Sequence, residues 1–162
     1  MQIRLTINGE VHEPDVGPGE TLLELLRRLG FKSVKFACGT GNCGACTILL
    51  DGKPVMSCLM LAPQADGRSV TTAEGLSTDG GLHPLQQAFK ELSAPQCGFC
   101  TPGMLMAAAG FLSENPDPTR EEVREAISGN ICRCSGYVKV VDAVIAAARV
   151  MRKESGKGNV RS

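Results

Sequence analysis

Eight cysteines in a chain of 162 residues fall into two groups of four, with none left over. Cys38, Cys43, Cys46 and Cys58 form a C-x4-C-x2-C run followed by a more distant fourth cysteine. Cys97, Cys100, Cys132 and Cys134 set a C-x2-C pair against a C-x-C pair. The first spacing is that of a plant-type 2Fe–2S site, with three thiolates from one loop and the fourth from elsewhere. Two ferric ions, two sulfides and four thiolates carry a formal charge of about −2, and reduction adds one more negative charge. Such an anion needs backbone N–H donors aimed at sulfur. Gly39, Gly41 and Gly44 let the loop wrap tightly enough to supply them. Zinc ribbons repeat C-x2-C, which this loop does not. The second group, read by spacing alone, suits zinc as well as an iron–sulfur cluster. Two clusters in so short a chain point to electron transfer.

The elements that must position these groups are legible from pattern. Ile3, Leu5 and Ile7 alternate along a strand over 2–8, and Asn8-Gly9 predicts a type I′ hairpin turn into a return strand over 10–16. Thr21 with Glu24 forms a capping box for a helix whose apolar face is Leu22, Leu23, Leu25, Leu26 and Leu29, stopped by Gly30. Residues 36–46 are too rich in Gly and Cys for regular structure. Residues 47–50 and 54–57 read as strands about an Asp51-Gly52 turn, and 69–72 as the last strand. The linker lies over 73–84, where Gly75, Thr78, Asp79, Gly80, Gly81 and Pro84 concentrate.

Everything beyond that linker reads as helical. One helix is expected over 85–92. A second opens with Thr101 as N-cap and Pro102 at the first position, and runs to about Ser113. A third is opened by the Thr119 and Glu122 capping box, and a fourth spans 138–153 with Val141, Val144, Ile145 and Ala148 at helical spacing. The tail from Glu154 is polar and is expected to fray. The fold class is therefore α+β. A β-grasp, plant-type ferredoxin-like domain over 1–76 is followed by an all-α four-helix metal-binding domain over 77–162.

Composition limits the classes of function. Lys+Arg and Asp+Glu both number 17, which removes the electrostatic footprint of a nucleic-acid binder. No apolar run reaches the length of a membrane span, and the N-terminus reads as a strand, not a signal peptide. A cytoplasmic setting follows as an expectation, and there thiols at motif spacing are metal ligands more often than disulfides. With five Phe, one Tyr and no Trp, the core must be built from Leu, Val, Ile, Ala and Met. Small residues on the helices allow close approach to a neighbouring helix or a partner chain.

The residues around the cysteines carry a longer pattern. They read Gln96-Cys97-Gly98-Phe99-Cys100-Thr101-Pro102-Gly103-Met104, then Gly129-Asn130-Ile131-Cys132-Arg133-Cys134-Ser135-Gly136-Tyr137, with Cys43-Gly44-Ala45-Cys46-Thr47 before them. Together these resemble the iron–sulfur small subunit of the molybdenum hydroxylases, the xanthine oxidase family, over nearly the whole chain. The resemblance implies a distal 2Fe–2S cluster on the first group and a proximal one on the second, in a helical domain with pseudo-twofold symmetry. It implies a large partner subunit carrying molybdopterin and a medium one carrying FAD, in a heterotrimer or its dimer. Electrons would pass from molybdenum through the proximal and distal clusters to FAD. Gln96 and Cys134 would lie against the pterin. The family has Gly before the first ligand where this chain has Ala37, so the loop would enter the site differently.

Other residues take simpler readings. Tyr137 is expected to pack or cap beside the second group, and Met104 and Met106 to pack. His12 and His83 have no cysteine at ligand spacing and read as ordinary strand and linker residues. Arg133 reads either as a charge partner or as a solvent-facing side chain. Two competing functions remain open at this level. A freestanding two-cluster ferredoxin would also suit the cysteines, although this chain lacks the acidic bias such carriers use for steering. A zinc- or iron-sensing interaction module would be colourless when zinc-loaded.

Overall fold

β1 (Leu5–Ile7) and β2 (Glu10–His12) form an antiparallel hairpin, with Leu5 opposite His12 and Ile7 opposite Glu10. This is a computed structural model, which describes residues 1–77 and 80–157, without the side chains of 155–157. Asn8 and Gly9 at the turn both take positive φ, 51° and 88°, as a type I′ turn requires. α1 (Leu22–Arg28) begins at Thr21, whose hydroxyl accepts from the Glu24 N–H while the Glu24 carboxylate accepts from the Thr21 N–H. Leu29 caps its C-terminus, and Gly30 leaves the helix at φ 102°.

β3 (Thr47–Leu50) and β4 (Lys53–Met56) pair across Asp51-Gly52, and β5 (Ser69–Thr71) completes a five-stranded sheet in the order β2-β1-β5-β3-β4. The sheet is mixed, because β1 and β5 run parallel while the other neighbours are antiparallel. Leu22, Leu23, Leu25 and Leu26 of α1 are buried with Leu5, Ile7, Ile48 and Val70 of the sheet, and with Ile3, which lies ahead of β1 although the alternation predicts a strand over 2–8. That is the alternating strand face meeting one helical stripe.

Four α-helices follow: α2 (Pro84–Glu91), α3 (Thr101–Glu114), α4 (Arg120–Ala126) and α5 (Val138–Lys157). Their core joins Leu85, Phe89, Met104, Met106, Val123, Ile127, Val141 and Val144. The two halves pack directly on one another. A Cβ at Gly110 of α3 would stand 2.6 Å from Pro54 Cδ and 3.0 Å from Leu49 Cδ2, so only glycine lets the helix lie this close to β3 and β4. The start of the connecting segment is pinned back to the first half. Asn8 Oδ1 accepts from the Thr72 N–H at 2.9 Å, and Glu74 accepts from the Ser33 N–H at 2.9 Å.

Several expectations are corrected. Regular pairing in β2 ends at His12, with one isolated bridge from Gln2 to Asp15 beyond it. Residues 73–76 form a 3-10 turn and not an open linker, and Pro84 is already helical. Thr101 is the first residue of α3 and not its cap. The cap position is Cys100, whose side chain makes no capping bond. The turn from Cys97 winds directly into the helix, and Cys100 O already accepts from the Met104 N–H at 3.1 Å. α5 continues through Glu154 to Lys157, as the helix-forming Arg152, Lys153 and Glu154 permit. Thr78 and Asp79 of the expected linker, and the tail over 158–162, lie outside the described residues. The small-residue face of α3 is not an open surface, since Met104, Leu105, Met106, Ala107 and Ala108 are all buried within the chain.

Candidate metal centres

The β3–β4 hairpin brings the first cysteine group together. Cys46 immediately precedes β3, and Cys58 lies on the 3-10 turn Ser57–Leu59 that follows β4. Thr47 pairs with Met56, and just outside that rung the Ser57 hydroxyl donates to Cys46 O at 2.8 Å. Both thiols are buried, and they hydrogen-bond to one another. Cys38 and Cys43, from the irregular loop, form a second thiol pair.

Backbone donors turn inward on these sulfurs. The Thr40 N–H reaches Cys38 Sγ at 3.4 Å. It is the largest influence bringing the Cys38 thiol down to about 6, with further help from Cys43 and the Asn42 N–H. Burial pushes Cys58 up to about 11, aided by the adjacent Cys46, while the Gly41 N–H works the other way. Gly41 itself has φ 77°, and a Cβ there would stand 2.4 Å from Leu59 Cδ1. Ala37 is not one of the non-glycine residues with positive φ, which among the described residues are Asn8, Asp51, Ser93 and Tyr137. With no positive φ at Ala37, the backbone there does not require glycine.

The second group is assembled from two segments. Cys97 and Cys100 lie in the turn leading into α3, while Cys132 and Cys134 lie in the loop between α4 and α5. Cys100 pairs with Cys132, and Cys97 with Cys134. Burial, followed by the Cys132 contact, pushes Cys100 up to about 12. Burial also opposes ionisation of Cys132, but three donors outweigh it and bring the thiol down to about 7. They are the Ser135 hydroxyl at 3.2 Å, the Ser135 N–H at 3.3 Å and the Cys134 N–H at 3.4 Å. Tyr137 sits at φ 67°, and its hydroxyl accepts from the Cys132 N–H at 2.8 Å. It therefore holds the Cys132 loop in shape, as expected of a residue capping beside the group.

The remaining residues fall where their chemistry allows. Gln96 Nε2 donates to Cys134 O at 3.1 Å, so the sequence-distant Gln and the last cysteine are neighbours. Cys97 and Cys134 are exposed, as are Phe99, Ile131 and Val138 around them. Arg133 is exposed and makes no ion pair among the described residues. His12 packs edge-on against Phe31 and has a buried Nε2 without a hydrogen-bond partner. His83 is more than a linker residue: its Nδ1 accepts from the Leu85 N–H and caps α2.

Sequence reading missed Ser135 as a donor to sulfur, and missed that Asn130 and Ile131 reach the first loop. A hydroxyl residue directly after the C-x-C was a usable signal for the first. No local pattern carries the second, because the partners lie 86 residues away.

The donor sets fit 2Fe–2S clusters on two physical grounds. In each group the closest thiol contacts run in twos, Cys38 with Cys43 and Cys46 with Cys58, then Cys100 with Cys132 and Cys97 with Cys134. Two metals sharing bridging sulfides take two thiolates each, whereas structural zinc draws four ligands to one point. Backbone N–H groups also aim at sulfur in both groups, as an anionic centre requires.

Comparison with known proteins agrees with this arrangement. Residues 5–75 match the family described as 2Fe-2S iron-sulfur cluster binding domain, and residues 72–145 match the 2Fe-2S binding domain family. The chain is 50% identical over 145 residues to the nicotinate dehydrogenase small FeS subunit of Eubacterium barkeri, covering 89% of this chain and 92% of that one. It is 45% identical over 147 residues to the xanthine dehydrogenase iron-sulfur-binding subunit of Escherichia coli O157:H7, covering 90% and 92% of the two chains. Its fold superposes on a chain of quinoline 2-oxidoreductase from Pseudomonas putida 86 with a TM-score of 0.91 and 49% identity, over 94% of this chain and 96% of that one. The chain belongs to the iron–sulfur small subunits of the molybdenum hydroxylases, the xanthine oxidase family. Its function is electron transfer through two 2Fe–2S clusters.

Proposed function

We propose that Cys38, Cys43, Cys46 and Cys58 hold the distal 2Fe–2S cluster and that Cys97, Cys100, Cys132 and Cys134 hold the proximal one. The two lie in domains over 1–76, a β-grasp ferredoxin-like unit, and 77–162, a four-helix unit. The observation that carries this reading is the two-and-two pairing of thiols in each group. When bound, the clusters supply one-electron donor and acceptor levels between the molybdopterin of a large subunit and the FAD of a medium subunit.

The chain's own residues prepare these positions. Cys46 and Cys58 bind from within the sheet's core, which excludes water from that side of the site. The N–H groups of Thr40 and Ser135, with the Ser135 hydroxyl, stabilise thiolate charge. Tyr137 fixes the loop that carries Cys132. Gln96 and the exposed Cys134 present a polar spot rimmed by Phe99, Ile131 and Val138. This rim faces the large subunit and its pterin. Phe36 and Leu59 flank the glycines of the first loop, are themselves exposed, and face the FAD subunit. The assembly is a heterotrimer or its dimer, located in the cytoplasm.

The test is affinity purification of the chain from its native host, with masses and cofactors of the co-purifying chains identified. Two larger chains, one with molybdopterin and one with FAD, are expected. A monodisperse monomer holding both clusters, with no associated chain, would contradict the proposal and favour a freestanding ferredoxin.

A further inference from the structure

Asn130 is a buried polar residue with an unusual placement. It stands 5% exposed in the segment between α4 and Cys132, yet its side chain is spent on the other half of the molecule. Asn130 Nδ2 donates to Gly44 O at 2.9 Å and lies 3.4 Å from Thr47 Oγ1. Gly44 lies between Cys43 and Cys46, and Asn130 is two residues before Cys132. The same Gly44 carbonyl accepts from the Thr47 hydroxyl at 2.7 Å and from the Thr47 N–H at 3.1 Å.

The backbone around this contact leaves no slack. A Cβ on Gly44 would stand 2.5 Å from Gly129 O and 2.6 Å from Asn130 Nδ2, and one on Gly103 would stand 2.4 Å from Gly44 O. Both glycines are therefore needed for the first ligand loop to touch the first turn of α3 and the loop ahead of Cys132. The next residue adds a main-chain strap, Ile131 N–H to Cys43 O at 2.9 Å.

From this geometry we infer that Asn130 is a positioning residue for electron transfer between the two cysteine groups, its amide locking the Cys43–Cys46 segment against the Cys132 segment. The inference rests on the two-cluster reading above. Asparagine suits the position because its amide can donate to the Gly44 carbonyl from the other half of the chain. An aspartate of the same shape would set a carboxylate oxygen against that carbonyl and bury it. Removing the amide orphans nothing at Gly44, which keeps both Thr47 donors. Truncation is thus a test of position more than of folding.

The experiment compares wild type, Asn130→Ala and Asn130→Asp in the holo-complex purified with its partner subunits. Three quantities are read: iron per chain, the magnetic interaction between the two centres in the fully reduced protein by low-temperature electron paramagnetic resonance, and the rate of electron equilibration between them. The expected result is full iron in Asn130→Ala, with an altered spin–spin splitting and a slower equilibration between the two centres. Asn130→Asp should show the larger change. Unchanged splitting and rate at full iron in both variants would overturn the inference and leave the two-cluster reading intact. Loss of iron from both groups in Asn130→Ala would also overturn it, by making Asn130 a folding residue. A wild-type complex without iron would refute the two-cluster reading itself.

Discussion

The Ile131 N–H donates to the Cys43 carbonyl at 2.9 Å, joining the residue before Cys132 to a cysteine of the other group. The cysteine groups come from separate family domains, but their loops share a hydrogen-bonded boundary. A change at that boundary should be felt by both groups, and a change away from it by one.

Cys46→Ser and Cys134→Ser should therefore be separable. Cys46→Ser replaces a soft thiolate and should abolish the first group's reduced signal while sparing the second. Cys134→Ser should abolish the second group's signal and, if Cys134 lies against the pterin, alter the molybdenum signal or its occupancy. Resonance spectra of the two reduced holo-complexes check this. An unchanged molybdenum signal and turnover in Cys134→Ser would contradict the placement of that cysteine.

Gly44→Ala and Gly98→Ala should differ sharply, although both positions have positive φ, 70° and 80°. At Gly98 nothing lies within 4 Å of the added Cβ, so the cost is the backbone conformation alone, about 1 kcal/mol. At Gly44 the Cβ meets Gly129 O at 2.5 Å, and overpacking adds about 1–3 kcal/mol. Thermal unfolding of the holo-complex should rank Gly44→Ala well below Gly98→Ala. Equal losses would mean that the two loops do not touch as described.

Tyr137→Phe removes the acceptor of the Cys132 N–H. The loss should be about 1 kcal/mol, and it should appear as faster release of iron from the second group to a chelator, with the first group unaffected. Equal release from both groups would show that Tyr137 supports the domain as a whole and not the Cys132 loop.

His83 gives the chain a pH-dependent helix cap. Burial is the main influence holding its pKa below the ordinary imidazole value, and Glu154 pulls weakly the other way. Its Nδ1 must be unprotonated to accept from the Leu85 N–H. The unfolded chain therefore takes the proton first. Stability is intact above about pH 6.5 and is lost as pH falls through the lower folded-state pKa. The melting temperature should drop between pH 7.5 and pH 5 by more in wild type than in His83→Asn, which keeps a capping side chain that does not titrate. Parallel curves for the two proteins would refute the role.

Local chemistry was legible in the sequence wherever partners are close in the chain. Asn8-Gly9 gave its turn, Thr21 with Glu24 and Thr119 with Glu122 gave their caps, and the alternation that includes Leu5 and Ile7 gave the buried face of β1, although the strand is shorter than the alternation. The C-x4-C-x2-C spacing pointed to a cluster because three of its cysteines share one loop. What escaped depends on tertiary approach. The apolar, small-residue face of α3 reads equally as a partner surface or as a helix lying on a sheet. The contact of Gly110 with Pro54 decides for the second. Asn130 looked like part of a motif, but its physical partner is Gly44, in the other half of the chain. His83 gave no sign of capping, since histidine is not a usual N-cap residue.

The central claim is that both thiol groups hold two-iron clusters. Metal and acid-labile sulfide analysis of the purified holo-complex, joined to electron paramagnetic resonance after dithionite reduction, tests it most directly. The account predicts about four iron atoms and about four sulfides per copy of this chain, with two distinguishable reduced-cluster signals. Stoichiometric zinc with little iron, or a single signal at half that iron content, would contradict it.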